Sequence, residues 1–539
     1  MRFWKRTTSE RPIRATCDQA AAGGARQGGG TLSVSLQDNM ARIRSALGDS
    51  TDLTMREFRI GPSGSARAAI AYTDGLADHA MINRFMESLL LNAGKPAPEA
   101  GDESSESAMA WMSRFVPMLG SPIRISDFGG LFAKLLAGDS VILVDGYDYA
   151  LAVGTKGWED RGVQEASAQT VVRGPRESFT ENIRTNTALI RRKINDPRLW
   201  LETRPIGEAT KTSVAIMYMK GIANDDIVEE VRRRLGRIEI DGILESGNIE
   251  ELIQDETITP FPTVYNTERP DAVAANLLEG RVAILVDGTP IVLLVPVIFT
   301  QFFQSPEDYY QRSDFGLLRM LRVVSFFITL LAPSLFIAVT TFHQEMLPTT
   351  LMMSIAAQRE RVPFPAAVEA YMMEFTFELL REAGIRMPRA VGPAISIVGA
   401  LVLGEAAVQA GFVSPAMVIV VSITAIASFV FPSFSMSIPV RMLRFVLMAL
   451  AASFGLYGIF IGMMILGAHL CSLRSFGVPY MSPLAPMNAD DQKDTILRLP
   501  LWRMSTRPNR IGGDNVVRER TPPPEPDPPQ PNRSRKTGD

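Results

Sequence analysis

Four long apolar runs, all after residue 320, limit what this chain can fold into. Residues 323–342 and 416–440 carry no charged side chain, residues 390–412 carry one (Glu405), and residues 445–473 carry none apart from His469. A helix needs roughly 20 apolar residues to cross a bilayer core, and each run meets that length. The reading is therefore an α-helical polytopic membrane domain over residues 306–487. Four to six helices are expected, because the arginines flanking the runs (Arg319, Arg322, Arg441, Arg444, Arg474) do not fix the total. Composition agrees. A mean hydropathy of +0.09 with 21% charged residues is an average over a wet zone and an oily one.

The first 320 residues have the opposite character. No apolar segment follows the basic residues 1–14, so no secretory signal is expected there. With Arg319 and Arg322 at the mouth of the first run, the positive-inside rule places the large N-terminal part in the cytoplasm. A net charge of −3, from 55 Lys+Arg and 58 Asp+Glu, excludes a globally basic nucleic-acid binder. Cys17 and Cys471 are too few for a disulfide framework, and His79, His343 and His469 are scattered, so no metal or cofactor site is expected. No phosphate-binding P-loop, zinc-protease helix, paired-cysteine motif or nucleophile elbow occurs. Glu374 and Glu378 share one helix face, which fits acid–base chemistry but fits an amphipathic helix better. The chain is not expected to be an enzyme.

The N-terminal part reads as α/β and contains a repeat. Ile70-Ala-Tyr72-Thr-Asp-Gly75-Leu-Ala77 is echoed by Ile216-Met-Tyr218-Met-Lys-Gly221-Ile-Ala223, and Ile142-Leu-Val-Asp-Gly146 by Ile284-Leu-Val-Asp-Gly288. The matches lie 146 and 142 residues apart, in the same order. Each Asp-Gly pair between apolar strands predicts a hairpin turn. Two similar α/β subdomains follow, over residues 37–165 and 213–305. A polar helical connector is expected over residues 166–212. Its Arg173, Glu177, Asn182 and Arg184 are open to two readings, a solvated helix or a docking element between subunits. Residues 1–36 and the proline-rich residues 488–539 are expected to be disordered.

Within the membrane part, Gly392, Ser396, Ala400 and Gly404 recur every four residues, and Gly458 and Gly462 form a second close-contact pair. Such stripes serve helix packing within a subunit, a subunit interface or a pore wall. Glu405 is read as a residue lining an ion path, the alternative being a protonated carboxyl bonded across helices. Residues 348–389 mix charge with apolar residues. Here Gln358, Arg359, Glu360, Pro363 and Pro365 form a backbone-fixed break before an amphipathic helix, a candidate coupling elbow or a simple helix boundary.

Several long stretches resemble the A subunit of the GerA-type spore germinant receptors. They include VVRGPRESFTENIRTNTALIRRKI at 171–194, QRERVPFPAAVEAYMMEFTFELLREAG at 358–384, VGPAISIVGALVLGEAAVQAGFVSP at 391–415 and SFGVPYMSPLAP at 475–486. The resemblance covers about residues 38–487 and leaves out both ends. It implies a protein of the spore inner membrane that works with a permease-like B subunit and a lipoprotein C subunit. It also implies an oligomeric ring forming a nutrient-gated cation channel that triggers germination. A secondary transporter subunit and a non-conducting scaffold are the alternatives.

Overall fold

The computed structural model describes residues 30–60, 66–92, 122–157, 166, 169, 171, 173–310, 316–386, 404–488, 490–513 and 515–523. Two five-stranded antiparallel sheets come first. One comprises α1 (Leu36–Ala46), β1 (Leu53–Ile60), β2 (Ala66–Thr73), α2 (His79–Asn92), β3 (Ile123–Ile125), α3 (Phe128–Leu135), β4 (Ser140–Val144) and β5 (Ala150–Val153). The other comprises α4 (Ile183–Lys193), β6 (Leu199–Ile206), β7 (Thr212–Met219), α5 (Asp225–Leu235), α6 (Ser246–Ile253), β8 (Tyr265–Thr267), α7 (Pro270–Leu278), β9 (Val282–Val286) and β10 (Val292–Val295). The strand orders are β1-β2-β4-β5-β3 and β6-β7-β9-β10-β8, the same topology twice.

The repeat extends to single residue pairs. Ile70 lies opposite Ile142 in the first sheet, and Ile216 opposite Ile284 in the second. Each Asp-Gly turn also ties down the first helix of its own repeat. Asp145 Oδ1 accepts from the Leu36 amide at 3.0 Å, and Asp287 Oδ1 accepts from the Ile183 amide at 3.0 Å. Gly146 and Gly288 take φ of 91° and 90°, a left-handed geometry that glycine adopts freely. An asparagine one turn along closes the same loop in both repeats. Asn39 brackets Ser33, and Asn186 brackets Thr180.

These ties correct the expected boundaries. Residues 183–206 are not a connector, because α4 and β6 are the first helix and strand of the second repeat. The Arg- and Asn-rich composition hid this, since Asn186 and Arg191 are buried but fully engaged in hydrogen bonds. Residues 30–36 likewise belong to the first repeat, with Leu32 and Leu36 in its core.

Among the described residues five longer helices follow: α8 (Gly316–Thr341), α9 (Thr349–Arg359), α10 (Ala366–Arg386), α11 (Pro415–Ser428) and α12 (Phe434–Ser472). Helices α8 and α12 are long and apolar enough to cross a membrane by length and composition. Helix α12 is not one rod. Gly455 has φ 60° and ψ −140°, and a Cβ on Gly462 would lie 2.5 Å from Leu447 Cδ2 and 2.9 Å from Leu450 Cδ1. A straight helix would separate residues 447 and 462 by about 22 Å at 1.5 Å per residue. The chain therefore doubles back at Gly455, giving antiparallel arms of roughly 30 Å and 25 Å. Both arm ends meet the second repeat, since Ser435 Oγ donates to Asn266 Oδ1 and His469 Nε2 lies 2.9 Å from Thr259 Oγ1. The turn packs against Phe342 and His343, beyond the opposite end of α8. Gly458 and Gly462 thus serve packing within one chain.

The apolar runs and the helices have different limits. The run 416–440 is broken between Ser428 and Phe434, and the run 445–473 is folded in two. The run 445–473 covers the end of the first arm, the reversal at Gly455 and the whole second arm.

The chain after α12 is also unlike the expectation. Residues 490–513 and 515–523 do not read as a disordered tail, because they pack back onto the second repeat. Gly513 N donates to the Ile222 carbonyl at 2.6 Å, Arg507 Nε donates to the Leu278 carbonyl at 2.9 Å, and Ile511 is buried. The disorder expected of residues 1–29 and 524–539 falls on residues outside the described set.

Candidate functional site

The arrangement that bears on function is a set of buried charges running from the second repeat into the helical bundle. It begins where α8 leaves the soluble part. Arg319 and Arg322 were read as interfacial charges; both are buried instead, against the buried carboxylate of Asp308. Arg322 Nη1 donates to both Asp308 oxygens at 2.9 and 2.8 Å, and to the Phe303 carbonyl at 3.1 Å. Arg319 reaches Asp308 and also the C-terminal segment, donating to Asp494 Oδ1 at 2.9 Å and to the Asp494 and Thr495 carbonyls. Arg498 donates back to the Asp308 carbonyl. Tyr309 donates to Asp494 Oδ2 at 2.7 Å, and burial with the neighbouring Asp494 carboxylate raises its hydroxyl pKa well above the ordinary range.

This is a clasp. One guanidinium fork at the base of α8 gathers groups from the second repeat's exit and from the C-terminal segment. Breaking such a buried pair leaves an uncompensated charge at a cost of about 3–5 kcal/mol. It also alters the topological reading, because arginines already neutralised inside the protein carry less weight under the positive-inside rule.

A second group lies inside the bundle. Arg444 Nη2, on the first arm of α12, sits 2.9 Å from Glu374 Oε2 and 2.9 Å from Glu378 Oε1 of α10, with Arg444 and Glu374 fully buried. Arg441 Nη1 donates to Glu378 Oε2 at 2.8 Å. Arg381 donates to Ser428 Oγ of α11 at 2.6 Å and lies over the Phe429 ring. The sequence reading makes this the charged face of an amphipathic helix and names no partner for it. It is a tertiary contact joining three helices. The legible signal was a complementary pair of spacings, Glu374/Glu378 four apart and Arg441/Arg444 three apart, each interrupting an apolar stretch.

The third group is at the far end. Glu369, buried at the start of α10, accepts from the amide and hydroxyl of Ser414, each at 2.5 Å, and Arg359 Nε lies 3.8 Å from its other oxygen. This ties the PFP break to the entry of α11. Of the elbow residues, Arg359 makes that contact, Gln358 donates to Ser354 Oγ, and Glu360, Pro363 and Pro365 are exposed between α9 and α10.

The remaining sequence-predicted residues are dispersed. Glu405 is exposed and accepts from Gln409 one turn on, at 3.0 Å, next to Gly404. Gly392, Ser396 and Ala400 fall outside the described residues. Asn182 caps α4, accepting from the Arg184 and Thr185 amides, and Arg184 lies 3.5 Å from Asp74 of the first repeat. Glu177 pairs with Lys193 at 2.8 Å. Arg173 is exposed. Sequence reading missed the side chain that locks the repeats together. Arg191, 1% exposed, makes a two-pronged bond to Asp52 (2.8 and 3.1 Å) and donates to the Leu199 carbonyl at 2.6 Å. Among the described residues no three His, Cys, Asp or Glu side chains gather as a metal site.

Comparison with known proteins gives a consistent picture. The family model described as "Bacillus/Clostridium GerA spore germination protein" matches residues 41–510. Spore germination protein KA of Bacillus subtilis is 50% identical over 90% of this chain and 89% of its own length. The membrane protein YfkQ of the same organism is 41% identical over 90% of this chain and 93% of its own length. A crystal structure of the N-terminal domain of the A subunit of the Bacillus megaterium spore germinant receptor GerK3 is 42% identical. It covers 50% of this chain and 98% of that domain, with a TM-score of 0.40.

Proposed function

The chain belongs to the GerA spore germination family, and from that premise we propose that it is the membrane-embedded A-type subunit of a nutrient-sensing receptor that forms an oligomeric, nutrient-gated cation channel. It is not an enzyme in this reading. Its partners are a permease-like B subunit, a lipoprotein C subunit and further copies of itself. It sits in the spore inner membrane with the two repeats in the cytoplasm.

The observation that carries the reading is the Glu374–Arg444–Glu378 group, which joins the amphipathic α10 to the apolar α12 inside the bundle. A charge placed mid-helix in a bilayer costs about 2.5–3.5 kcal/mol on insertion scales, so such groups persist where they are paired and where function needs them. In this reading the two carboxyl groups and the guanidinium shared between α10 and α12 are the element whose partners exchange when the gate moves. The exposed Glu405, with Gly404 and the stripe Gly392, Ser396 and Ala400, supplies the proposed pore face in a ring. The Gln358-to-Pro365 break is the proposed elbow through which partner movement reaches α10. Both arms of α12 end at the second repeat, and so does the C-terminal segment, which supports an even number of membrane passes between the second repeat and residue 523.

Reconstitution in liposomes with the B and C subunits tests this. A channel passes cations down their gradient when nutrient is added, a transporter subunit shows saturable coupled uptake, and a scaffold passes nothing. The Arg444→Gln variant should lose nutrient control of that flux while the chain still inserts. Wild-type gating in that variant counts against the charge group as the gate.

A further inference from the structure

The clasp residues occupy only one side of the C-terminal segment. Its other side is apolar and exposed. Ile496 is 39% exposed, Leu497 43% and Leu501 49%, beside the partly exposed Trp502. These are unusual in a segment whose neighbours Thr495 and Arg498 are buried. The patch is built, since Arg319 holds the Asp494 and Thr495 carbonyls and the Arg498 backbone lies against Gly316, where a Cβ would come within 2.9 Å of its carbonyl oxygen. Gly316 opens α8, whose first turns expose Leu317, Leu318, Met320, Leu321 and Val324 on the sides away from the buried Arg319 and Arg322. The exposed apolar side chains of the C-terminal segment therefore flank Arg498, which lies against the first residue of α8.

We propose that Ile496, Leu497, Leu501 and Trp502 form an interfacial anchor that lies in the lipid surface around the base of α8. The inference rests on α8 crossing the membrane. The occupant is a lipid surface because the patch starts where the apolar flank of α8 starts, and that flank faces acyl chains once α8 spans. The chemistry fits the boundary layer. Leucine and isoleucine side chains reach into the acyl region, and an indole prefers the headgroup level. Arg503, exposed and 5.1 Å over the Trp502 ring, keeps its charge in the headgroups. Side chains in such a setting sit about 5–10 Å into the headgroup–acyl boundary. The anchor gives the clasp a second role. The segment that holds Arg319 is itself held at the bilayer surface, so a displacement of α8 along its axis must either strip the anchor from lipid or part Asp494 from Arg319.

The test uses the full chain in lipid nanodiscs. Cys17 and Cys471 are replaced by Ser, and a single environment-sensitive fluorophore is placed on Leu497→Cys, Leu501→Cys, Val324→Cys on α8 or Gln37→Cys on the first repeat. Quenchers are carried on the lipid acyl chains. The anchor requires blue-shifted emission and lipid quenching at 497 and 501 comparable with that at 324, and none at 37. Quenching at 324 without quenching at 497 and 501 overturns the anchor and leaves α8 in the membrane. Blue-shifted emission at 497 and 501 without lipid quenching also overturns it, because a second protein copy would then cover the patch. If 324 is not quenched either, the spanning of α8 falls and the anchor falls with it.

Discussion

The two α/β repeats share strand order, paired residues and the Asp-Gly tie to their first helix, yet they stand in different relations to the bundle. The first keeps its two cores to itself, one on each face of its sheet. The second has one face whose core runs on without a seam. Leu199, Met217 and Leu285 of its sheet pack in one cluster with Phe326 of α8 and with Met436, Leu447 and Leu470 of α12. Its other face takes Phe476 and Val478 from the chain after α12 and Ile511 from the C-terminal segment. The same fold stands apart from the helical bundle in one copy and is continuous with it in the other. A movement of α8 or α12 acts on the second repeat directly. It reaches the first through the seam between the repeats, where α4 supplies the Arg191–Asp52 bond and β6 meets the turn before β1, with the Thr51 amide donating to the Leu201 carbonyl at 3.1 Å.

That bond is the sharpest place to break the comparison. Arg191→Met leaves Asp52 buried and unpaired and should cost about 3–5 kcal/mol. Hydrogen exchange on the full chain should show β1 and β2 losing protection while β9 and β10 keep theirs. Equal loss in both repeats would mean they form one unit. The converse lesion is Gly455→Val. A β-branched residue at φ 60°, with His343 Cε1 2.8 Å from where its Cβ would stand, should cost about 1–3 kcal/mol. It should loosen α12 and the second repeat and leave the first repeat's exchange unchanged.

A smaller effect comes from the matched ties. Asp145→Ala and Asp287→Ala each remove one helix-start acceptor, worth about 1 kcal/mol. If the repeats differ only in surroundings, thermal melts should shift by similar amounts. A much larger loss for Asp287→Ala would show that bundle packing depends on the seating of α4.

The smallest concerns pH. Glu250 in α6 is held above the usual carboxylate range by burial, with an Asn266 amide donating to it at 3.4 Å. A carboxyl whose pKa is raised on folding binds more protons folded than unfolded, so its contribution is full below the unfolded pKa and falls as pH rises through the folded one. Glu250→Gln should therefore stabilise the chain slightly at neutral pH, with the gain vanishing toward about pH 4. A gain that grows on acidification would contradict the burial of that group. Asn266 also accepts from Ser435, so any shift should appear at the base of α12 and not in the first repeat.

Much of this was legible in the sequence, for definite reasons. The repeat could be read because both copies keep ILVDG, where an apolar strand must end in a turn that needs glycine at positive φ. The location of the helical bundle could be read because uncharged runs of 20 or more residues have few other fates. The amphipathic helix after the PFP break could also be read, since Pro363 and Pro365 stop a helix on one side and α10 starts at Ala366. The errors fell on polar residues with long-range partners. Arg191 and Asn186 look like solvated connector, Arg319 and Arg322 like charges at the mouth of the first run, and Glu374 like one face of an amphipathic helix. Each is buried, and its partner lies where local sequence carries no information.

By itself, then, the sequence determined the two-zone plan, the duplicated α/β unit and the family, because these depend on periodicity, run length and ordered motifs. Only the tertiary structure decided which charges are buried and with whom, that the last apolar run folds back at Gly455, and that the C-terminal segment returns to clasp α8. Those depend on partners distant along the chain, such as Asp494 for Arg319, and a charge shows its partner only once the fold has brought the two within 3 Å.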